Sequence, residues 1–156
     1  MSDISIVEVE PQLVLGMRKR GKYEEIATLL SKVFQFAVEK KAQIQGPPIF
    51  VCHELKLEDA ERAQQEGNAY LEVAVPISEK IEESDEIKCY ELSGGKMAKI
   101  IHKGAYQDCG PTYEKLYGWI SENKKKIIGF TREVYPNDPF EVKEEDILTE
   151  IYAPID

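Results

Sequence analysis

Glu72-Val73-Ala74-Val75-Pro76-Ile77 is the stretch of sequence that indicates the fold, because it returns 78 residues later as Glu150-Ile151-Tyr152-Ala153-Pro154-Ile155. Each copy is rich in strand-forming residues and reaches a proline near its end, which is typical of a strand that lies at a sheet edge or terminates there. The chain therefore contains two copies of one unit. The seam between such copies is a natural place for a pocket.

A helix precedes each copy of this strand, and its spacing repeats as well. Gly21-Lys22-Tyr23 and Gly104-Ala105-Tyr106 lie 83 residues apart and open the two predicted helices. Apolar residues recur every three or four positions between residues 23 and 41, and again after Pro111, a residue that suits the first turn of a helix. Each half is predicted to run strand, helix, strand, strand.

The rest of the chain supplies further strands. Residues 4–9 and 13–20 flank a turn at Glu10-Pro11-Gln12, which leaves open a hairpin or a crossover between neighbouring strands. Residues 58–68 have no apolar face and are predicted to form an exposed loop or a short helical turn. Strand-like patterns occupy the other segments: 49–55, 70–77, 87–92, 96–103, 127–135 and 147–153.

We predict an α+β fold made of duplicated βαββ repeats, about residues 1–78 and 86–156, within a single domain of residues 1–156. An antiparallel sheet carries two helices packed on one face, with a ligand cavity between the halves. At 156 residues and 42% hydrophobic content, the chain can bury one core and is too short for two ordinary domains.

Charge and composition restrict the partners. A formal net charge of −9 opposes binding to phosphate backbones, so nucleic acid is not expected as a direct ligand. No apolar run approaches the roughly 20 residues that cross a bilayer, and the N-terminus does not resemble a signal peptide. We therefore expect a cytoplasmic protein without membrane contact.

Cysteine and histidine do not occur in metal-binding patterns. Cys52, Cys89 and Cys109 are odd in number and widely spaced, which suits neither a disulfide framework nor a zinc site. His53 and His102 are not in ligand spacing either, and haem binding would need one of them as axial ligand. We expect reduced thiols, no metal and no cofactor.

Thr131-Arg132-Glu133-Val134-Tyr135 contains the main candidate binding residues. Strand alternation places Thr131, Glu133 and Tyr135 on one face. If that face lines the seam, a carboxylate lies among aromatic rings, where it must take up a proton or meet a cation. Each aromatic face would add roughly 0.5–2 kcal/mol of cation–π attraction to a ligand cation. The alternative is a solvent-facing Glu133 paired with a lysine.

Four stretches carry a family resemblance: residues 102–106, 113–120, 128–139 and 148–155. The most specific elements are Arg132-Glu133-Val134-Tyr135 and Asn137-Asp138-Pro139. Together they resemble the GyrI-like small-molecule-binding family, which includes effector-binding domains of AraC-type and multidrug-responsive MerR-type regulators. The resemblance implies a duplicated βαββ fold that binds a hydrophobic, often cationic, compound between its halves.

The resemblance also implies the binding residues. The family's glutamate that approaches the ligand's positive charge corresponds to Glu133, and the stacking aromatic residues correspond to Tyr135, Trp119 and Tyr106, with Tyr152 behind them.

Other tyrosines are assigned to packing. Tyr113 and Tyr117 are centred on the apolar stripe of their helix and are expected in the core. Trp119 flanks that stripe, so core packing remains as compatible with its position as ligand contact. Tyr23 is the repeat partner of Tyr106, and both could be packing residues at a helix start.

Three functions remain open. Because the resembling module begins within the first few residues, the first is a free-standing binding protein for hydrophobic, cationic small molecules, with any protein partner and the oligomeric state left open. The second, which the resemblance to free-standing family members implies, is a hydrolase of strained or alkylating molecules, with Glu133 and Tyr135 as catalytic residues. The third, which the resemblance to the family's namesake implies, is a gyrase-inhibitor-like protein, whose acidic surface would mimic DNA.

Overall fold

The computed structural model describes residues 4–54, 56–138 and 140–156. Leu55 and Pro139, which belong to the predicted strand 49–55 and to Asn137-Asp138-Pro139, lie outside these ranges. Within them, the chain forms eight strands: β1 Ser5–Val9, β2 Gln12–Gly21, β3 Ile49–Cys52, β4 Ala69–Pro76, β5 Lys88–Leu92, β6 Gly95–Lys103, β7 Thr131–Val134 and β8 Leu148–Pro154. The helices in the same ranges are α1 Ile26–Glu39, α2 Leu57–Glu66 and α3 Gly110–Glu122.

The strands form a single antiparallel sheet in the order β1-β6-β8-β7-β3-β4-β2-β5. This order is symmetric, because replacing each strand by its counterpart in the other half reverses it. β3 and β7 pair at the seam. β1 pairs with β6 and β5 pairs with β2, so the first strand of each half pairs with a strand of the other half. The first two strands therefore form neither a hairpin nor a pair of neighbours.

α1 and α3 cover the same face of the sheet. Phe50, Glu133 and Ile151 lie opposite one another on three adjacent strands. Phe50 packs in the core cluster under α1, and Ile151 packs in the cluster under α3. The predicted α+β fold of duplicated βαββ units, with two helices on one face of an antiparallel sheet, is confirmed. A smaller apolar cluster covers part of the opposite face.

The predicted loop or short turn at residues 58–68 is wrong, because most of this segment forms α2. Ala63 is buried in the cluster under α1, while Leu57 packs against the cluster under α3. Gly67 ends the helix in a left-handed conformation with φ of 69°, which glycine adopts without strain. A third helix therefore bridges both halves.

Two details show how closely the halves correspond. Pro76 and Pro154 each end a strand, and both strands lie inside the sheet rather than at its edge. Lys41 and Lys124 follow α1 and α3 with φ of 58° and 57°.

In the described part of the chain, no helix is long and apolar enough to cross a membrane.

Candidate functional site

Glu133 lies on the helix-covered face at the seam, with its carboxylate between two tyrosines. The Tyr135 hydroxyl donates a hydrogen bond to Oε1 over 2.9 Å. The Tyr113 hydroxyl, from α3, donates to Oε2. The expected alternation of β7 places Glu133 beside Phe50 of β3 and turns Val134 to the opposite face, where it packs with that face's cluster. Glu133 therefore does not point outward into bulk water.

Burial dominates the electrostatics of this carboxylate. It raises the pKa of Glu133, and the hydrogen bonds from Tyr113 and Tyr135 and the nearby His102 only partly oppose that rise. Burial and the carboxylate also raise the pKa of both tyrosines well above the ordinary value. The hydroxyls therefore keep their protons and act as donors, and Glu133 is left with a charge that burial disfavours.

Further aromatic rings extend the cluster toward solvent. The Tyr106 ring meets the Tyr135 ring edge to face, with centroids 5.4 Å apart and an interplanar angle of 73°. Tyr106 is 38% exposed, which makes it the outermost ring of the group. The Tyr117 ring lies 5.8 Å from the Tyr113 ring. The result is a row of tyrosines from the buried carboxylate to the surface.

The first half contributes a second carboxylate beside this row. The Tyr23 hydroxyl donates to Glu54 Oε1 over 2.8 Å, and the Tyr23 ring meets Phe50 edge to face at 6.1 Å. Cys52 lies close enough to Glu54 and Glu133 that both, after burial, help to raise its pKa to about 12. Both halves therefore supply acidic and aromatic groups at the seam.

Two of the predicted binding residues are not part of the cluster. Trp119 lies two residues from Tyr117, about 200° around α3, and packs against the α3 cluster. Tyr152 pairs with Arg132, so it lies on the face opposite Glu133, where its hydroxyl donates to Glu150. The structure brings together Glu133, Tyr135 and Tyr106 and leaves out these two.

Sequence reasoning missed two members of the site. Tyr113 is buried, as a core residue should be, yet its hydroxyl reaches Glu133. A buried tyrosine hydroxyl usually finds a hydrogen-bond partner, and that rule was the available signal. Glu54 had no such signal, because it lies beyond the end of β3, where strand alternation does not fix the direction of a side chain.

Glu133 does not line either of two surface cavities that the described residues form. One of about 980 Å³ lies at the β2–β5 edge and includes Gly16, Lys32 and Tyr90. The other, of about 310 Å³, spans both halves on the face opposite the helices. A ligand cavity that contains Glu133 therefore stays a prediction, because the Tyr113 and Tyr135 rings occupy the space around the carboxylate.

Metal and haem ligands are poorly placed. No three His, Cys, Asp or Glu side chains within residues 4–54, 56–138 and 140–156 come together as a metal site. His102 uses both ring nitrogens, Nε2 with the Ala105 carbonyl at 2.9 Å and Nδ1 with the Thr112 hydroxyl at 2.8 Å. His53 Nε2 lies 2.7 Å from Glu72.

Solved structures share this fold at low sequence identity. The C-terminal domain of EcmrR aligns with a TM-score of 0.87 at 16% identity, over 99% of this chain and 97% of that one. In the EcmrR–DNA complex, this chain spans 57% of the EcmrR chain. A hydrolase from Listeria innocua gives 0.65 at 13% identity, over 98% and 91% of the two chains. SAV2435 bound to tetraphenylphosphonium gives 0.64 at 12% identity, over 99% and 94%.

At these identities the structural likeness shows the fold alone. No curated protein matches the chain significantly by sequence. The family described as the GyrI-like small molecule binding domain, however, matches residues 2–156, which is nearly the whole chain. The resemblance seen in the sequence is thereby confirmed, and the chain belongs to the GyrI-like small-molecule-binding domain family.

Proposed function

We propose that this domain binds hydrophobic cations and that Glu133 anchors their positive charge. The observation that carries the proposal is a partly buried carboxylate held between two tyrosine hydroxyls. Glu133 accepts hydrogen bonds from Tyr113 and Tyr135, and among the described residues no lysine, arginine or histidine forms an ion pair with it.

A ligand cation supplies the positive charge that the Glu133 carboxylate lacks. Burial raises the pKa of Glu133, so the ionised form is disfavoured until an opposite charge comes close. Close charge pairs contribute about 1.5–7 kcal/mol in measured interfaces. Each tyrosine face adds roughly 0.5–2 kcal/mol of cation–π attraction. Hydrophobic cations combine both interactions, whereas neutral compounds of the same shape lack them.

Entry of a ligand requires the tyrosine rings to move. Tyr113 and Tyr135 occupy the space at Glu133, and Tyr106 is the ring nearest to solvent. We infer that a bound cation takes the place of one or both rings and that the released hydroxyls turn toward the carboxylate edge or solvent. The tetraphenylphosphonium bound to SAV2435 makes phosphonium compounds suitable probes.

The test compares methyltriphenylphosphonium with neutral triphenylphosphine oxide by isothermal titration. Glu133→Gln is expected to weaken phosphonium binding at least tenfold, about 1.4 kcal/mol, and to change phosphine oxide binding less than threefold. Glu150→Gln is the matched control, because Glu150 also accepts a 2.9 Å hydrogen bond from a tyrosine two residues later but lies on the other face. Equal losses for the two compounds, or equal effects of the two variants, would contradict the proposal.

A hydrolase is the second candidate, favoured by the pairing of Glu133 with the Tyr135 hydroxyl at 2.9 Å. A carboxylate with a raised pKa can accept a proton from an attacking water near neutral pH. In this reaction, water adds to a strained ring carbon, the ring bond breaks, and the proton returns to the leaving atom. Turnover of a strained electrophile such as styrene oxide, lost in Glu133→Gln, supports it. Binding without turnover across a panel of such compounds rejects it.

A further inference from the structure

The cavity of about 310 Å³ lies on the face opposite Glu133 and is built from both halves. Its lining includes Val51 and Glu72 from the first half, and Met97, Phe130 and Arg132 from the second. Its volume is at the lower end of the roughly 300–1,000 Å³ of small-molecule pockets. The cavity and the tyrosine cluster lie on opposite faces of the sheet, because a strand turns alternate side chains to opposite faces.

Arg132 is a buried charged residue of this cavity whose guanidinium is only partly hydrogen-bonded. It is only 6% exposed. Nη2 donates to the Ser93 carbonyl, whereas Nη1 is buried and has no hydrogen-bond partner among the described residues. An arginine usually pairs with a carboxylate when it is removed from water, because an uncompensated buried charge is costly. Arg132 forms no such ion pair within the described ranges.

Glu72 is the buried acid of the cavity, and other groups already occupy it. Its Oε1 lies 2.7 Å from His53 Nε2. Its Oε2 accepts from the Tyr90 hydroxyl at 2.7 Å and from Arg18 at 3.4 Å. A second acid, Glu91, lines the rim and is exposed. Burial lowers the pKa of Arg132, and the charge of Glu72 opposes this effect without forming an ion pair with the guanidinium. The guanidinium of Arg132 can therefore still pair with another anion.

The remaining lining suits a flat apolar group. The Phe130 ring stacks on the His53 ring with centroids 4.0 Å apart and an interplanar angle of 35°. Phe130 is 46% exposed, so its ring is reachable from solvent. Val51 and Met97 are buried and apolar. An aromatic ring bound here would contact Phe130 while its acidic group lies toward Arg132.

We propose that this cavity is a second small-molecule site that binds an aromatic carboxylate, with Arg132 pairing with the carboxylate oxygens. Arginine's planar donors match a carboxylate through two parallel hydrogen bonds, and this geometry selects a carboxylate over a neutral amide. The site works independently of Glu133, so one molecule of this domain accommodates a cation on one face and an anion on the other.

The test uses 2-naphthoate as probe and 2-naphthamide as its neutral counterpart, with binding followed by amide chemical shifts. Saturable binding of 2-naphthoate is expected to shift the backbone signals around Phe130 and Ser93, and 2-naphthamide is expected to bind at least tenfold more weakly. Arg132→Gln is expected to reduce naphthoate affinity at least tenfold. Glu133→Gln is expected to change it less than twofold, which separates this site from the proposed cation site.

Phe130→Ala tests the same site if Arg132→Gln fails to fold. Phe130 is half exposed, so its removal opens no buried cavity. It is expected to weaken naphthoate binding at least threefold with an unchanged melting temperature. Absence of saturable binding at up to about 10 mM probe, equal affinity for naphthoate and naphthamide, or shifts confined to the helix face would overturn the proposal.

Discussion

Removal of the Tyr113 hydroxyl tests the hydrogen bond that joins α3 to the sheet. Tyr113 is 7% exposed, and its hydroxyl donates to the Glu133 carboxylate. A hydrogen bond to a charged group contributes about 1.5–3 kcal/mol, compared with about 0.5–1.5 kcal/mol for a neutral pair. Tyr113→Phe should therefore lower the free energy of unfolding by about 1.5–3 kcal/mol at pH 7. For a chain of this size, that corresponds to a fall of roughly 3–12 °C in melting temperature.

The effect should also depend on the charge of Glu133. At a pH where this carboxylate is protonated in the folded protein, the cost of Tyr113→Phe should fall to about 0.5–1.5 kcal/mol. The same reduction is expected at pH 7 in a Glu133→Gln background, which a double-mutant cycle measures directly.

Tyr152→Phe is the control for the loss of a tyrosine hydroxyl. The Tyr152 hydroxyl also donates to a carboxylate, that of Glu150, but Tyr152 is only half-buried whereas Tyr113 is buried. Urea unfolding of each variant provides the free energies, and the control should lose less than about 1 kcal/mol. Equal losses in Tyr113→Phe and Tyr152→Phe, or no coupling between Tyr113 and Glu133, would refute the reasoning.

Three further predictions concern charge, backbone and thiols. Burial raises the pKa of Glu133 above its ordinary value of 4.5, so the stability that the protonated side chain contributes is present below pH 4.5 and is lost as the pH rises through the folded-state pKa. The free energy of unfolding of Glu133→Gln, measured with urea, should therefore increase relative to wild type across that pH range. A difference between the two proteins that does not change with pH would contradict this. Gly94→Ala places a Cβ in overlap with the Val9 carbonyl oxygen and should destabilise the protein by about 1–3 kcal/mol. Gly118→Ala places a Cβ in open space beside α3 and should stabilise the protein by about 0.5–1 kcal/mol; reversed signs of the melting shifts would refute the packing. Cys52, whose pKa burial raises to about 12, should resist a disulfide reagent at pH 8 under conditions that label the partly exposed Cys89, and peptide mass spectrometry would detect the opposite order.

The local parts of the fold could be predicted from the sequence. α1 and α3 follow from apolar residues at helical spacing, and the orientation of Glu133 follows from strand alternation. α2 could not be predicted, because it has few apolar contacts. Two of them, Leu57 and Ala63, are made with apolar clusters that belong to different halves of the chain. Tertiary contacts of this kind override local patterns.

The exchange of first strands depends on pairing partners that local patterns do not specify. β1 has the same alternating pattern whether it pairs with β2 or with β6. The same limit explains Tyr152: its face depends on the register of β8 against β7, which sets Arg132 opposite Tyr152. Trp119 was open between two roles, and the structure places it against the α3 cluster and away from the Tyr113–Tyr135 group. Residue types could indicate an acidic aromatic site, but they could not indicate which tyrosines reach it.

The pKa of Glu133 measured with and without a cation tests the central claim most directly. The ¹³C resonance of its side-chain carboxyl can be assigned by its absence in Glu133→Gln and followed through a pH titration. We expect a pKa above the ordinary value of 4.5 in the free protein, because the carboxylate is buried. Saturating methyltriphenylphosphonium should lower this pKa, since a cation favours the ionised form. A pKa at or below 4.5 in the free protein, or one that the cation leaves unchanged, would contradict a buried carboxylate that anchors positive charge.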